Sequence, residues 1–159
     1  MASVFLYAPQ DFRNLCALSR TLEVFGQKDC FVFDPRGLIR ERYGKSRLRV
    51  QRDVSSGAFE RIHWQRIEEP ERFLPAHAGR VVAAVAEPAA SALTQFRFTA
   101  TDLLLFGSES HGLPLSIVAG CAGRVTIPTR GQTQSLNLAV AFGIVLFECM
   151  RQVELASDC

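Results

Sequence analysis

The sequence has no long apolar run and little excess of charge. No window reaches the roughly 20 apolar residues that a transmembrane helix needs, and the first residues, MASVFLYAPQDF, lack the pattern of a signal peptide. The net charge is only +2, so the whole chain is not a polycation. We therefore expect a cytoplasmic protein without membrane contacts, an organellar location staying open, and any nucleic-acid surface confined to a local patch.

The cysteines and histidines are not spaced for a disulfide framework or a metal site. The five cysteines are odd in number and form no C-x-x-C pair. His63, His77 and His111 lie far apart and show no spacing typical of metal ligands. We expect reduced thiols and no bound metal.

The apolar residues of the chain form short runs that alternate with helical patterns. Hydrophobic residues make up 48% of the 159 residues, and charged residues only 21%, which excludes a disordered chain. The runs predict strands at 3–8, 30–33, 81–86, 103–106 and 125–127, and three- or four-residue spacing predicts helices at 14–25 and about 135–155. Strands that are apolar throughout indicate a mostly parallel sheet with helices on both faces. We expect one α/β domain over residues 1–159.

A basic segment lies between the second predicted strand and the third. This basic segment, residues 36–52, has a net charge of +6, because it contains seven basic residues and one acidic residue, Glu41. The basic residues are Arg36, Arg40, Arg42, Lys45, Arg47, Arg49 and Arg52. Arginine has the planar fork that matches phosphate groups. The segment is either a solvated loop or a surface that binds RNA.

Three polar segments follow predicted strands, where parallel sheets bind ligands. Residues 107–114 (GSESHGLP) have G-x-x-x-x-G spacing without the Lys-Ser/Thr of a P-loop, and Glu109 could be only a surface carboxylate. In residues 127–138 (IPTRGQTQSLNL), Ser135 or Asn137 could simply cap the last helix. Asn14 could likewise cap the first helix, and Arg20 could pair with Glu23.

Taken together and in order, these segments resemble the SpoU (TrmH) branch of the SPOUT RNA methyltransferases. The family motifs are matched by residues 14–20 with 23–26, by residues 105–114, and by residues 127–128 with 135–138 running into 147–152; residues 55–58 resemble a common linker. Three positions depart from the family pattern: Cys16 replaces Gly, Ser108 replaces Asn, and Thr129 replaces Met. The resemblance covers nearly the whole chain.

The resemblance implies an RNA ribose 2'-O-methyltransferase that uses S-adenosylmethionine, forms a homodimer and contains a C-terminal trefoil knot. The pocket for the cofactor is expected at Ala86, Gly107, Ile127, Ser135 and Leu136. A guanidinium is a poor base at neutral pH, so we expect Arg20 to grip a phosphate beside the target ribose. Asn14 and Asn137 would orient the sugar, and Glu109 would hold Arg20 or the nucleotide.

In its small, single-domain form the chain resembles enzymes that methylate the anticodon wobble ribose of tRNA. This resemblance favours tRNA over rRNA as the substrate. Two alternatives stay open: a SPOUT fold that binds RNA without catalysis, and an unrelated flavodoxin-like or nucleotide-binding protein. The second alternative gives no reason for the Ser135-Leu-Asn137 sequence at the start of the last helix.

Overall fold

The computed structural model describes residues 2–39, 44–133 and 135–157, which contain a parallel sheet of seven strands. The strands are β1 (Ser3–Tyr7), β2 (Asp29–Phe33), β3 (His63–Arg66), β4 (Val81–Ala84), β5 (Ser91–Ala92), β6 (Leu103–Phe106) and β7 (Gly123–Thr126). Their order across the sheet is β3-β2-β1-β6-β4-β7-β5, and every neighbouring pair is parallel. The predicted parallel α/β sheet is confirmed.

Helices cover both faces of this sheet. They are α1 (Phe12–Val24), α2 (Lys45–Ser55), α3 (Ala58–Arg61), α4 (Pro70–Ala76), α5 (Leu115–Ala119) and α6 (Leu138–Ser157). Side chains alternate along β1, so Val4 packs into a cluster with residues of α1 and α6, such as Leu15 and Phe142. Phe5 points to the other face and packs with Leu74 of α4.

The basic segment is the part of the fold that the sequence pattern described least well. Where a loop or a surface was expected, residues 45–55 form helix α2, which ends at Ser56 in the left-handed conformation (φ 53°). Two of its buried positions are Gln51 and Ser55, polar residues that conceal the apolar periodicity of a helix. The expected linker at residues 55–58 is therefore the end of α2 followed directly by the start of α3.

The strand register brings four loops to one edge of the sheet, which we call the carboxyl edge. Leu6 is level with Phe106, and Ala84 is level with both Phe106 and Val125. The loops that follow β1, β6, β4 and β7 therefore emerge side by side. The trefoil knot that the resemblance implies stays a prediction. In the part of the chain that the structure describes, no helix is long and apolar enough to cross a membrane.

Candidate active site

Glu109 joins two loops of the carboxyl edge. Its Oε2 accepts a hydrogen bond from the backbone N–H of Gln10 (2.8 Å), and its Oε1 accepts from the N–H of Asp11 (3.1 Å). Oε1 also accepts from Nδ2 of Asn14 at 3.0 Å. Bonds from three N–H donors to one carboxylate fix it more firmly than a surface contact would. Glu109 is therefore a partly buried anchor between the β6 loop and the start of α1.

Asn14 connects this anchor to the first turn of α6. Its Oδ1 accepts a hydrogen bond from Nδ2 of Asn137 at 3.1 Å, and Oδ1 of Asn137 accepts from the N–H of Ala139 at 2.9 Å. Asn137 is thus the N-terminal cap of α6, whereas the cap of α1 is Asp11 and not Asn14. Three of the four predicted catalytic side chains, Asn14, Glu109 and Asn137, form one hydrogen-bonded row.

Arg20 does not join this row within one chain. Six residues of helix separate it from Asn14, which corresponds to roughly 9 Å along the axis and a turn of about 120° to another face. Among the described residues, Arg20 forms no ion pair or hydrogen bond, and it is exposed. The expected pair between Arg20 and Glu23 is absent from this part of the chain, because Glu23 binds Arg61 at 3.0 Å instead.

The residues expected to hold the cofactor lie around the ends of three adjacent strands. Gly107 follows β6 directly, Ile127 follows β7 directly, and Ala86 follows β4 after one intervening residue. Ser135 and Leu136 are exposed and stand just before α6. The small, exposed side chain of Ala86 leaves its backbone approachable, and half-buried Ile127 adds an apolar surface suited to an adenine ring. An apolar surface beside exposed backbone polar groups fits the adenosine part of S-adenosylmethionine.

The loop after β6 is a closed turn. The backbone of Ser108 exchanges two hydrogen bonds with Gly112, at 3.0 and 2.9 Å. A Cβ atom at Gly107 would lie 2.2 Å from the carbonyl carbon of Gly112, so any other residue would push the turn open. Gly112 itself has φ +63°, which favours glycine. Both glycines are thus required for the shape that presents Glu109.

The three departures from the family pattern are accommodated in different ways. Cys16 is fully buried in α1, and burial raises the pKa of its thiol to about 11, so it behaves as a small apolar residue. The hydroxyl of Ser108 donates to the carbonyl of Gly112 at 3.3 Å and so reinforces the turn. Thr129 is exposed, and nothing in the structure explains its replacement of Met.

Five residues near the row had been given no role in the site from the sequence. The chain turns at Ala8, which has φ 50°, and this brings the amides of Gln10 and Asp11 to Glu109. The hydroxyl of Ser110 donates to Oε1 of Gln10 at 2.7 Å and lies 2.6 Å from Nδ1 of His111. Ser110 and His111 directly follow Glu109 in the second motif, and this position is the feature of the sequence that could have identified them.

The structure places only part of the predicted RNA-binding set. Arg40 and Arg42 lie outside the described residues, as does the side chain of Lys45, and Arg36 is exposed after β2. Three arginines belong to α2: Arg47, which lies over the ring of Phe12 at 5.4 Å, Arg49, which is 3.6 Å from Asp53, and exposed Arg52. No group of three or more potential metal ligands occurs within residues 2–39, 44–133 and 135–157.

Known proteins resemble the chain over almost its full length. The model of the SpoU rRNA Methylase family matches residues 1–147. A tRNA (cytidine(34)-2'-O)-methyltransferase of Beijerinckia indica is 32% identical, with 93% of this chain and 89% of that protein aligned. A solved structure described as "Structural insights into the 2-OH methylation of C/U34 on tRNA" has a TM-score of 0.82 and 28% identity, covering 99% of this chain and 97% of the other.

A third similar protein was solved with its cofactor. It is the AdoMet-bound rRNA methyltransferase of Sinorhizobium meliloti, with a TM-score of 0.75 and 28% identity. The similarity covers 94% of this chain and 56% of that longer protein. With the family model matching most of the sequence and the motif residues gathered at one edge of the sheet, the chain belongs to the SpoU rRNA Methylase family.

Proposed function

We propose that the protein methylates the 2'-oxygen of the ribose at the anticodon wobble position of tRNA, in the cytoplasm. It is an S-adenosylmethionine-dependent RNA 2'-O-methyltransferase. The observation that carries the proposal is the row of Glu109, Asn14 and Asn137 beside the strand ends that fit the cofactor. The wobble position is favoured because the chain matches two proteins named for position 34 almost from end to end.

The hydrogen bonds of the row orient the side-chain amide of Asn137 toward the substrate. Oδ1 of Asn137 is used by the N–H of Ala139, so its Nδ2 must face Asn14. An amide nitrogen carries two hydrogens, and the second N–H of Asn137 can donate to a ribose oxygen. Glu109 fixes Asn14, and Asn14 in turn fixes Asn137, so the donor is oriented before RNA binds. A module that bound RNA without catalysis would give no reason for this preparation.

The residues at the strand ends serve the second reactant. S-adenosylmethionine supplies an electrophilic methyl group on a sulfonium sulfur. The backbone at Gly107, Ile127 and Leu136 would hold its adenosine and methionine parts, with Ser135 and Ala86 at the border of the pocket. Their position beside the row lets the chain align the ribose oxygen with the methyl group.

We further propose that the protein acts as a homodimer through an apolar surface of α1 and α6. The surface comprises Val24, Val140, Ile144 and Phe147, which are 39–68% exposed. The three α6 residues follow i, i+4, i+7 spacing and form one stripe, and the ring of Phe147 lies 6.2 Å from that of Phe25 at the end of α1. An exposed stripe of this kind is typical of an interface.

The dimer gives Arg20 a place in the reaction. Arg20 lies four residues before Val24 and so on the same exposed face of α1. A two-fold axis through the apolar surface would carry Arg20 away from its own row and toward the row of the second protomer. There its guanidinium would grip the phosphate beside the target ribose.

A methyl-transfer assay tests the proposed activity. The purified protein is incubated with S-adenosylmethionine and unmodified tRNA transcripts, and nucleosides and fragments are analysed by mass spectrometry. A 2'-O-methyl group at position 34 is expected. Methylation confined to another tRNA position or to rRNA would refute the proposed target, and no methylation of any RNA would refute the proposed activity.

Replacing Arg20 tests its assignment to RNA. We expect Arg20→Ala to abolish methyl transfer while the affinity for S-adenosylmethionine, measured by calorimetry, stays within a few-fold of the wild-type value. Mixed dimers of Arg20→Ala and Asn14→Ala chains should regain activity, because one of their two sites is complete when Arg20 acts across the interface. Inactive mixed dimers would place Arg20 in its own protomer's site, and a collapse of cofactor affinity would assign it to the cofactor.

A further inference from the structure

Methyl transfer to a ribose hydroxyl requires a group that takes the hydroxyl proton, and the row described above does not offer one. The amides of Asn14 and Asn137 do not titrate near neutral pH. Both oxygens of Glu109 already accept hydrogen bonds, from the N–H groups of Gln10 and Asp11 and from Asn14. Arg20 carries a guanidinium, which does not deprotonate in proteins. An imidazole is the side chain better suited to accept a proton near neutral pH.

Among the three histidines, one lies at the carboxyl edge of the sheet. His111 is exposed in the turn after β6, two residues beyond Glu109. His63 begins β3 and contacts Asp29 at 2.9 Å, and His77 lies between α4 and β4 with its ring 6.2 Å from that of Phe73. The last two precede or begin strands and so lie at the opposite edge. His111 is the imidazole that the fold places beside the candidate site.

The contacts of His111 decide which of its nitrogens is free. The single hydroxyl proton of Ser110 is donated to Oε1 of Gln10 at 2.7 Å. The 2.6 Å contact between the Ser110 oxygen and Nδ1 of His111 then requires Nδ1 to carry the hydrogen. In the neutral ring this leaves the lone pair on Nε2. The backbone N–H of His111 also donates to the hydroxyl of Ser108 at 3.4 Å, which helps hold the residue in the turn.

We propose that Nε2 of His111 accepts the proton of the 2'-hydroxyl; this inference rests on the proposed methyl transfer. As the ribose oxygen forms its bond to the methyl carbon, the carbon–sulfur bond breaks and its electron pair goes to sulfur. The O–H bond breaks and the proton moves to Nε2, giving an imidazolium. Ser110 and Gln10 act as positioning residues, because they set the tautomer that leaves Nε2 available.

The electrostatic surroundings suit this role. The carboxylates of the two loops that meet at the turn are Glu109 and Asp11, and they would stabilise the imidazolium as it forms. Both are held by other partners, Glu109 by Gln10, Asp11 and Asn14, and Asp11 by the N–H of Arg13 at 2.7 Å. After methyl transfer, the imidazolium of His111 can release the proton directly to water, because His111 is exposed. Neither carboxylate has to accept it.

The test is the pH profile of a single turnover with unmodified tRNA transcript and radiolabelled S-adenosylmethionine. The wild-type rate should rise with pH through one step, because only the neutral imidazole can accept a proton. His111→Gln should lower the rate by about 100-fold or more and remove that step, with tRNA and cofactor affinities within a few-fold. Ser110→Ala should lower the rate by only a few-fold and keep the step. His77→Gln, a matched change at the opposite edge, should leave rate and profile unchanged.

Three results would overturn the inference in different ways. A His111→Gln variant with the wild-type rate would show that the ring takes no part, while the proposed methyl transfer would stand. A lowered rate with the pH step retained would show that His111 only shapes the turn. A wild-type protein that methylates no tRNA or rRNA would remove both the inference and the proposed function.

Discussion

At the scale of single residues, Glu109 illustrates how one carboxylate couples fold and function. Its three N–H partners come from the β1–α1 loop and from α1, whereas Glu109 itself comes from a loop about 100 residues later in the chain. A residue of this kind ties together two loops that must keep a fixed distance for Asn14 to reach Asn137. Removing it should affect stability and activity together.

We expect Glu109→Gln to lower the free energy of unfolding by about 1–3 kcal/mol, because the amide NH₂ cannot accept the hydrogen bonds that both carboxylate oxygens now receive. Methyl transfer should be lost along with it. Chemical denaturation and the tRNA assay measure the two effects. Glu68→Gln is the matched control, since Glu68 is 82% exposed and 3.8 Å from Arg66, and it should change stability by less than about 0.5 kcal/mol. Equal stability of the two variants would contradict the anchoring role.

At the scale of elements, an ion pair stabilises the sheet at the edge opposite the carboxyl edge, where the strands begin. Asp102, which is fully buried just before β6, accepts two hydrogen bonds from Arg80 at 2.8 Å and further bonds from the backbone and hydroxyl of Thr99. Although burial opposes it, these bonds lower the pKa of the Asp102 carboxyl below its usual value. This pair ties the start of β4 to the start of β6, far from the candidate active site.

The lowered pKa predicts how stability depends on acid. A carboxyl whose folded pKa is lowered stabilises the fold above its unfolded pKa, near 3.9, and this contribution is lost as the pH falls through the folded value. Asp102→Asn should reduce the free energy of unfolding by about 3 kcal/mol at neutral pH and should flatten its fall below about pH 4. Denaturation across pH 2–7 measures this. Asp53→Asn, at an exposed pair with Arg49, should keep the wild-type slope.

The three arginines of helix α2 differ in their contacts, and this bears on which of them can bind RNA phosphates. Arg47 lies over the ring of Phe12, which holds its guanidinium in place, whereas Arg49 is shared with Asp53 and Arg52 is exposed. We expect replacement of all three by Gln to weaken tRNA binding and to reduce the log–log salt slope by roughly 0.7 to 0.9 for each lost phosphate contact. Binding titrations at several salt concentrations measure this. Unchanged affinity and slope would identify the helix as a solvated surface only.

At the scale of the whole molecule, the sequence predicted the apolar frame and left out the polar elements. The strand at Leu103–Phe106 was predicted with the bounds that the structure has, and α1 covers most of the predicted helix at 14–25. Helices α2 to α5 and strands β3 and β5 were missed, and α2 and β3 show one physical reason. Polar Gln51 and Ser55 are buried in α2, and β3 reads His-Trp-Gln-Arg at the edge of the sheet, so neither shows apolar periodicity.

The candidate site divides in the same way. Asn14, Glu109 and Asn137 were named from motifs, yet their hydrogen-bonded row depends on loops 95 and 123 residues apart, which no local pattern encodes. The separation of Arg20 from that row was equally hidden, because spacing along one helix does not say which chain a side chain serves. Such relations depend on the folded chain and, for Arg20, on the second protomer of the proposed homodimer.

The proposed homodimer leads to a test at this scale. Ile144→Glu with Phe147→Glu would place two charges of the same sign in the apolar surface of α1 and α6, and burying unpaired charges is costly. We expect light scattering to show a monomer with unchanged circular dichroism, and methyl transfer to be lost because Arg20 can no longer reach a second protomer. Leu115→Lys is the control, since Leu115 is 81% exposed on α5, away from that surface, and it should leave the dimer intact. A wild-type protein that is monomeric and active, or a double variant that stays dimeric, would disprove this interface. If the double variant were monomeric and active, Arg20 would act in the site of its own protomer. The mixed-dimer experiment tests the same assignment independently.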